Sequence, residues 1–307
     1  MNAFEAMRFP FSLLLLAALL VIIANRLIRA SLAAPRVRES SVPDGLPWRE
    51  VRIPTVCGKS LFGWFIPAGE GAPALAILHG WGGNAEMMLP LARTLHTARY
   101  TLLLFDARSH GQSDGDTFAS LPRFAEDLSQ AVDWLKMQAE VDTSRVGAIG
   151  HSVGAGAALL LAARRSDLAA IVSLAAFAHP SGIMRRWLKH KHIPYWPLGA
   201  YILTYVQRVI GYRFDDIAPR NTIRAINCPV LLVHGTEDET VPASEAQEIY
   251  ANRRDDQVGL LLMPGSHDRY SELEQHMGKL IAFLDDAMDC SRAPHCSPVL
   301  RQPGDVK

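Results

Sequence analysis

The sequence predicts an α/β fold, a doubly wound and mostly parallel sheet with a cap insertion, preceded by one N-terminal transmembrane helix. Three observations carry this. Six short apolar runs alternate with stretches of helical length, as strands buried on both faces of a parallel sheet require. One connection, from about 177 to 227, is far longer than an ordinary crossover. At 307 residues, 49% of them hydrophobic, the chain can bury one large core.

The N-terminal run Phe9 to Ala24, FPFSLLLLAALLVIIA, carries no charge, and the apolar character extends toward Ile28. That suits a membrane-inserting helix over residues 1–30. Arg26, Arg29, Arg36 and Arg38 follow the run while only Arg8 precedes it, which favours a retained single-pass anchor with the following domain in the cytoplasm. The alternatives are export after cleavage of a signal peptide at the small residues of SLAAP, and a buried helix, which an all-round apolar surface disfavours. Residues 31–47 hold three prolines, mixed charge and no periodicity, and read as a tether.

The domain is expected over 48–287. WREVRIPTVCGKSLFGWFIPA alternates about a Cys-Gly-Lys turn, an antiparallel hairpin. The buried strands follow in ALAILHG, YTLLLFD, RVGAIGH, LAAIVSL, PVLLVHG and VGLLLMPG, with helices over 86–96, 120–138, 154–164 and 244–253 between them. Residues 288–307 form a tail. Lys plus Arg and Asp plus Glu both number 31, so no global field recruits nucleic acid. Four scattered cysteines make no disulfide framework or zinc spacing, although Cys290 and Cys296 could pair.

Gly150-His151-Ser152-Val153-Gly154 matches G-x-S-x-G between a strand and a helix-forming stretch. Such a turn strains its central residue, excludes side chains two positions either side, and aims the Val153 N–H at whatever binds Ser152. A small-residue packing turn explains the glycines equally well. A serine hydroxyl needs a base, and the base an acid, in the chain order Ser, Asp or Glu, His. Asp238 follows the strand LLVHG and His267 the last strand, LLLMPG, so both fall at the sheet edge that carries the elbow. Glu237 and Glu239 rival Asp238 by charge, and His276 and His295 rival His267 by type alone. His79, His151 and His234 read as packing or loop residues, and Asp106, Arg108 and His110 as loop braces.

With LHGWGGN at 78–84, FDARSHGQSDG at 105–115, GHSVG at 150–154, HGTEDETVP at 234–242 and GSHD at 265–268, the chain resembles the α/β-hydrolase superfamily over Val51 to Leu284. The resemblance is to monoacylglycerol lipase-like and serine aminopeptidase-like enzymes. It implies Ser152 as nucleophile, His267 as base and then acid, Asp238 as the residue orienting the imidazole, and the backbone N–H groups of Trp81 and Val153 as oxyanion hole. It also favours Asp238 over its glutamate neighbours.

The expected activity is hydrolysis of carboxylic esters through an acyl-serine, with acylglycerol or lysophospholipid as candidate substrates and no metal or organic cofactor. The expected partners are a lipid-like or other small-molecule ester and a membrane reached through the N-terminal helix, with no nucleic acid. In the insertion, RRWLKHKH with Trp187, Tyr195 and Trp196 reads as a surface for an anionic bilayer, or as a solvated basic face beside core aromatics. The rival readings of function are an aminopeptidase-like peptidase, which needs an acid near the pocket where the cap offers only Asp215 and Asp216, and a silent membrane-tethered module. A dehalogenase would need a carboxylate at position 152.

Overall fold

The computed structural model describes residues 3–268 and 273–290. The tail beyond 290 and the pairing of Cys290 with Cys296 lie outside them. Helix α1, Ala3–Ser31, contains a 20-residue span, Ser12–Ser31, of mean hydropathy 2.2, long and apolar enough to cross a membrane. The hairpin follows as β1, Arg49–Thr55, and β2, Lys59–Ile66, paired from Arg49 opposite Phe65 to Thr55 opposite Lys59. Cys57 and Gly58 take the positive φ angles of its turn.

The α/β alternation then runs through β3 (Ala72–Leu78), α2 (Leu89–Thr97), β4 (Thr101–Phe105), α3 (Leu121–Lys136), β5 (Val141–His151), α4 (Val153–Ala162) and β6 (Ile171–Leu174). The insertion brings α5 (Pro180–His190), α6 (Ala200–Ile210), α7 (Phe214–Ile217) and α8 (Pro219–Thr222), after which β7 (Val230–Gly235), α9 (Ala243–Ala251), β8 (Val258–Met263) and α10 (Leu273–Cys290) close the fold. The sheet order is β1-β2-β4-β3-β5-β6-β7-β8, antiparallel at the first two pairings and parallel from β4 onward. Every predicted strand and helix is present. α10 passes the expected boundary at 287 and continues through Cys290.

The strands are apolar on both sides because both sides are covered. In β4, Leu103 and Phe105 join the core under α3 and α4 with Leu128 and Leu159. Leu102 and Leu104 face the other way, packing with Leu95 of α2 and Leu284 of α10. Helix α3 begins where the Ser120 hydroxyl accepts the Arg123 N–H and Pro122 occupies the first turn. It buries Phe124, Leu128, Val132 and Leu135 at helical spacing. Helix α4 is buried from Gly154 to Ala162, which accounts for its lack of a polar face.

The segment 33–47 has little regular structure but lies against the domain. Arg36 Nε donates to the Gly111 carbonyl at 3.0 Å, Asn84 Nδ2 to that of Val37 at 3.2 Å, and the Ser40 N–H and hydroxyl both bond the Glu86 carboxylate. Glu39 reaches the buried Asp106. Arg108 is a brace as expected, its guanidinium bonded to Asp127 at 2.7 Å and Glu126 at 2.6 Å.

Candidate active site

Ser152 sits between β5 and α4 with φ 53° and ψ −113°, a strained conformation for a residue with a side chain. Sterics fix the residues around it. A Cβ at Gly150 would meet the Gly154 carbonyl oxygen at 2.1 Å, and one at Gly154 would meet that of His79 at 2.4 Å. The backbone must come that close because the strand turns directly into the helix. The Ser152 N–H donates to Leu174 O at 2.8 Å, tying the elbow to the end of β6.

His267, in the loop after β8, faces this serine. Its Nε2 lies 3.0 Å from Ser152 Oγ and its Nδ1 lies 2.7 Å from Asp238 Oδ2. Asp238 is buried in the loop after β7, and its Oδ1 accepts the N–H groups of Thr240 at 2.9 Å and Val241 at 2.7 Å. Burial opposes its charge. Contacts from His234 and His267 and the Val241 N–H outweigh that penalty and hold the carboxyl well below its ordinary range. The loops after β7 and β8 are knit together, since Thr236 N–H donates to Met263 O and Glu237 N–H to Gly265 O, both at 2.9 Å.

The three residues singled out from three distant segments thus form one connected chain. Glu237 and Glu239 are exposed, whereas Asp238 is buried and holds the imidazole. His276 lies in α10 and His295 lies outside the described residues. Val153 is the first residue of α4, so its N–H has no intrahelical acceptor. Trp81 follows Gly80, where a Cβ would come within 3.1 Å of Ser152 Cβ. The segment after β3 therefore passes directly beside Ser152.

Two histidines read from the sequence as packing residues touch this chain. His151 Nε2 donates to the His267 carbonyl at 2.8 Å, and the two rings lie 5.0 Å apart. Burial lowers the His151 pKa from its ordinary value, although the bond to the His267 carbonyl works the other way. His234 Nε2 lies 2.7 Å from the Val241 carbonyl and 3.3 Å from Asp238 Oδ2. Its position four residues before the acid was the one signal available for it. His79 behaves as a packing residue: its Nδ1 donates to Gly80 O at 2.6 Å, its Nε2 accepts the Ala107 N–H, and burial lowers its pKa to about 3.

Ser152 opens onto a cavity of about 440 Å³, lined largely by apolar side chains such as Phe177, Met184, Ile202 and Phe214. A second cavity, of about 290 Å³, lies on the other side of His151, between α2 and α10. Among the described residues, His151, His267 and Asp268 bring one ligand atom each within 4.8 Å of one another. A cation held there would compete for the His267 nitrogens that already face Ser152 and Asp238.

Residues 70–209 match the family model described as serine aminopeptidase, S33. The Mycobacterium tuberculosis protein Rv2307c is 31% identical over 230 residues, covering 74% of each chain. This chain belongs to the α/β-hydrolase family of serine hydrolases. The Salmonella typhimurium protein YfhR is 28% identical to the hydrolase, over 75% of this chain and 79% of that one. An esterase of Pyrococcus furiosus, Pf2001, superposes on it with a TM-score of 0.68 at 25% identity, covering 82% of this chain and 96% of the esterase. The Penicillium α/β-hydrolase GrgF, at 21% identity and TM-score 0.64, shares the fold. The family match stops before Asp238 and His267, so those two residues rest on the geometry described above.

Proposed function

We propose that this hydrolase cleaves carboxylic esters through an acyl-serine intermediate, with Ser152 as nucleophile, His267 as base and Asp238 as the group orienting it. The carrying observation is the pair of contacts made by one imidazole, 3.0 Å to Ser152 Oγ and 2.7 Å to Asp238 Oδ2. As Oγ attacks the ester carbonyl carbon, its proton passes to Nε2, and the charge that forms on the imidazole is met by the carboxylate at Nδ1. The N–H groups of Trp81 and Val153 receive the oxyanion, where loss of one donor costs on the order of a hundredfold in rate. Collapse breaks the bond to the alkoxy group, which leaves with the Nε2 proton. Water then repeats the sequence on the acyl-serine and frees the acid.

An acyl chain fits the apolar walls of the 440 Å³ cavity. Helix α1, with its downstream arginines, serves as a single-pass anchor that leaves the domain cytoplasmic. Acylglycerols and lysophospholipids are the substrates this arrangement favours. The residues divide into anchor (1–30), tether (31–47), a hydrolase domain from 48 to the end of α10 at Cys290 with its cap at about 177–227, and tail. A peptidase reading has one observation in its favour: the exposed Asp268 carboxylate on the cavity wall beside His267, where a substrate ammonium could pair. Asp215 and Asp216 do not line the cavity.

The test is labelling with a fluorophosphonate probe, followed by a panel of p-nitrophenyl esters and amides. Ester turnover and labelling are expected, both lost in Ser152→Ala. Turnover retained in Ser152→Ala removes the nucleophile, amide preference establishes the peptidase reading, and no labelling of folded protein establishes the silent module.

A further inference from the structure

The membrane helix does not stop at the domain boundary. Its apolar side chains are exposed from Leu13 to Leu27, and the first to enter the core is Ile28, 9% exposed. One turn later Ser31 and Leu32 line the same cavity as Ser152. Met184 of α5 and Ile202 and Val206 of α6, which packs beside α1, line the same cavity. Three hydrogen bonds fix this corner: the Tyr201 hydroxyl to Asn25 Oδ1 at 2.6 Å, Ala119 N–H to Leu32 O at 3.0 Å, and the Ser31 hydroxyl to Ile28 O at 2.7 Å.

The uncharged stretch of α1, Phe9–Ala24, amounts to ~24 Å of helix within the hydrocarbon layer, and Asn25, Arg26 and Arg29 follow it toward the head groups. With α1 across a bilayer, the cavity wall at Ser31 and Leu32 therefore begins about two helical turns, ~10 Å, past that stretch, at the level of the head groups. The cap beside it exposes aromatic and apolar side chains, Trp196 at 78% and also Trp187, Tyr195, Leu198 and Tyr201. Exposed Lys189, His190 and Lys191 accompany them. Aromatic rings beside basic groups are the composition found at the level of lipid head groups.

We propose that the last turn of α1 forms the outer wall of the acyl site, and that a long-chain ester slides into the cavity from the bilayer between α1 and α6. This rests on the ester-hydrolase reading of the same cavity. The exposed apolar side chains of the cap line the short path through the head-group level, and Leu32 controls how much chain the site accepts. Cleavage at SLAAP would remove or loosen this wall, so the retained helix is part of the enzyme.

Two measurements on the full chain in phosphatidylcholine vesicles test it. In the first, kcat/KM is compared for butyryl and palmitoyl monoacylglycerols. Leu32→Trp is expected to lower the palmitoyl-to-butyryl ratio at least tenfold, and Leu32→Ala to raise it. A ratio within twofold of wild type in both variants, with turnover present, overturns the proposal while leaving the esterase reading standing. In the second, the Ser152→Ala protein is irradiated in vesicles containing a diazirine-bearing long-chain monoacylglycerol, which needs no turnover. Crosslinks on peptides carrying Leu32 and Ile202 to Val206 support the proposal, and crosslinks confined to residues 12–27 overturn it. Absence of ester turnover sinks the esterase reading alone and leaves the crosslinks to decide where a lipid chain lies.

Discussion

Asp238 Oδ2 is shared by two histidines, with His267 Nδ1 at 2.7 Å and His234 Nε2 at 3.3 Å. The second contact helps keep the carboxylate ionised although burial works against its charge. Replacing His234 by Phe removes an Nε2–H that lies 2.7 Å from the Val241 carbonyl and 3.3 Å from the carboxylate, a loss of about 1.5 kcal/mol. We expect kcat/KM to fall roughly tenfold, through kcat more than KM. Steady-state kinetics on a short p-nitrophenyl ester check this, and unchanged kcat would show that His234 only packs the strand end.

His151 holds the main chain of His267, the proposed base. Without its 2.8 Å bond to the His267 carbonyl, the loop after β8 is less firmly aimed at Ser152. His151→Leu should slow fluorophosphonate labelling about tenfold, the scale of one lost hydrogen bond. His151→Gln, which restores a donor, should recover part of that rate. Equal slowing in both variants would point to packing as the cause.

Gly150 admits no side chain, because its Cβ would lie 2.1 Å from the Gly154 carbonyl oxygen and 2.7 Å from the Ala155 nitrogen. Both obstacles are backbone, so no rotamer change relieves them. Gly150→Ala should cost about 3 kcal/mol or more of stability, read as the lowered denaturant midpoint, and should lose activity with the fold.

Burial and the Glu39 carboxyl raise Asp106 to about 8, against the pull of the Gln112 and Ala85 N–H groups. A proton between the two carboxyls also satisfies Glu39 Oε1, which otherwise has no partner. An acid raised in the folded state contributes stability that is complete at low pH and lost as pH climbs from the ordinary carboxylate range through about 8. His79 acts in the opposite sense, but its contribution is already complete above its ordinary value of 6.5. Thermal unfolding between pH 7 and 8, below the range where the buried Cys228 thiol begins to contribute, therefore reads the acid pair. Wild type should lose Tm with rising pH, and Glu39→Gln should flatten that slope.

The strands and the elbow were legible because each is local: an apolar run of five or six residues, or a glycine two positions either side of Ser152. Asp238 and His267 were legible because chain order and strand ends place them at one edge of the sheet. What stayed hidden depends on packing between distant segments. The segment 33–47 carries no periodicity, so nothing in it announced that Arg36 would bond Gly111 or that Glu39 would reach Asp106. Leu32 fell within the expected tether, and its place with Ile202 on the wall of one cavity exists only once the cap packs beside α1. His234 and His151 were read as packing because residue type and strand position do not reveal which neighbour a ring nitrogen meets.

The register of the central strands sets a further limit on this enzyme. Leu78 of β3 is level with Phe105 of β4 and with Gly150 of β5, so His79, Asp106 and His151 emerge side by side. The segment leading to Trp81 and the elbow holding Ser152 are thereby measured from a common line. An added residue within any of these three strands would turn its downstream side chains to the opposite face and move one loop about 3.3 Å past the others. The turns at the far edge, around 137–140 and 252–257, bear no such constraint. Length variation in this fold should be tolerated at one end of the sheet and forbidden at the other, and a scan of single-residue insertions would trace that boundary along the chain.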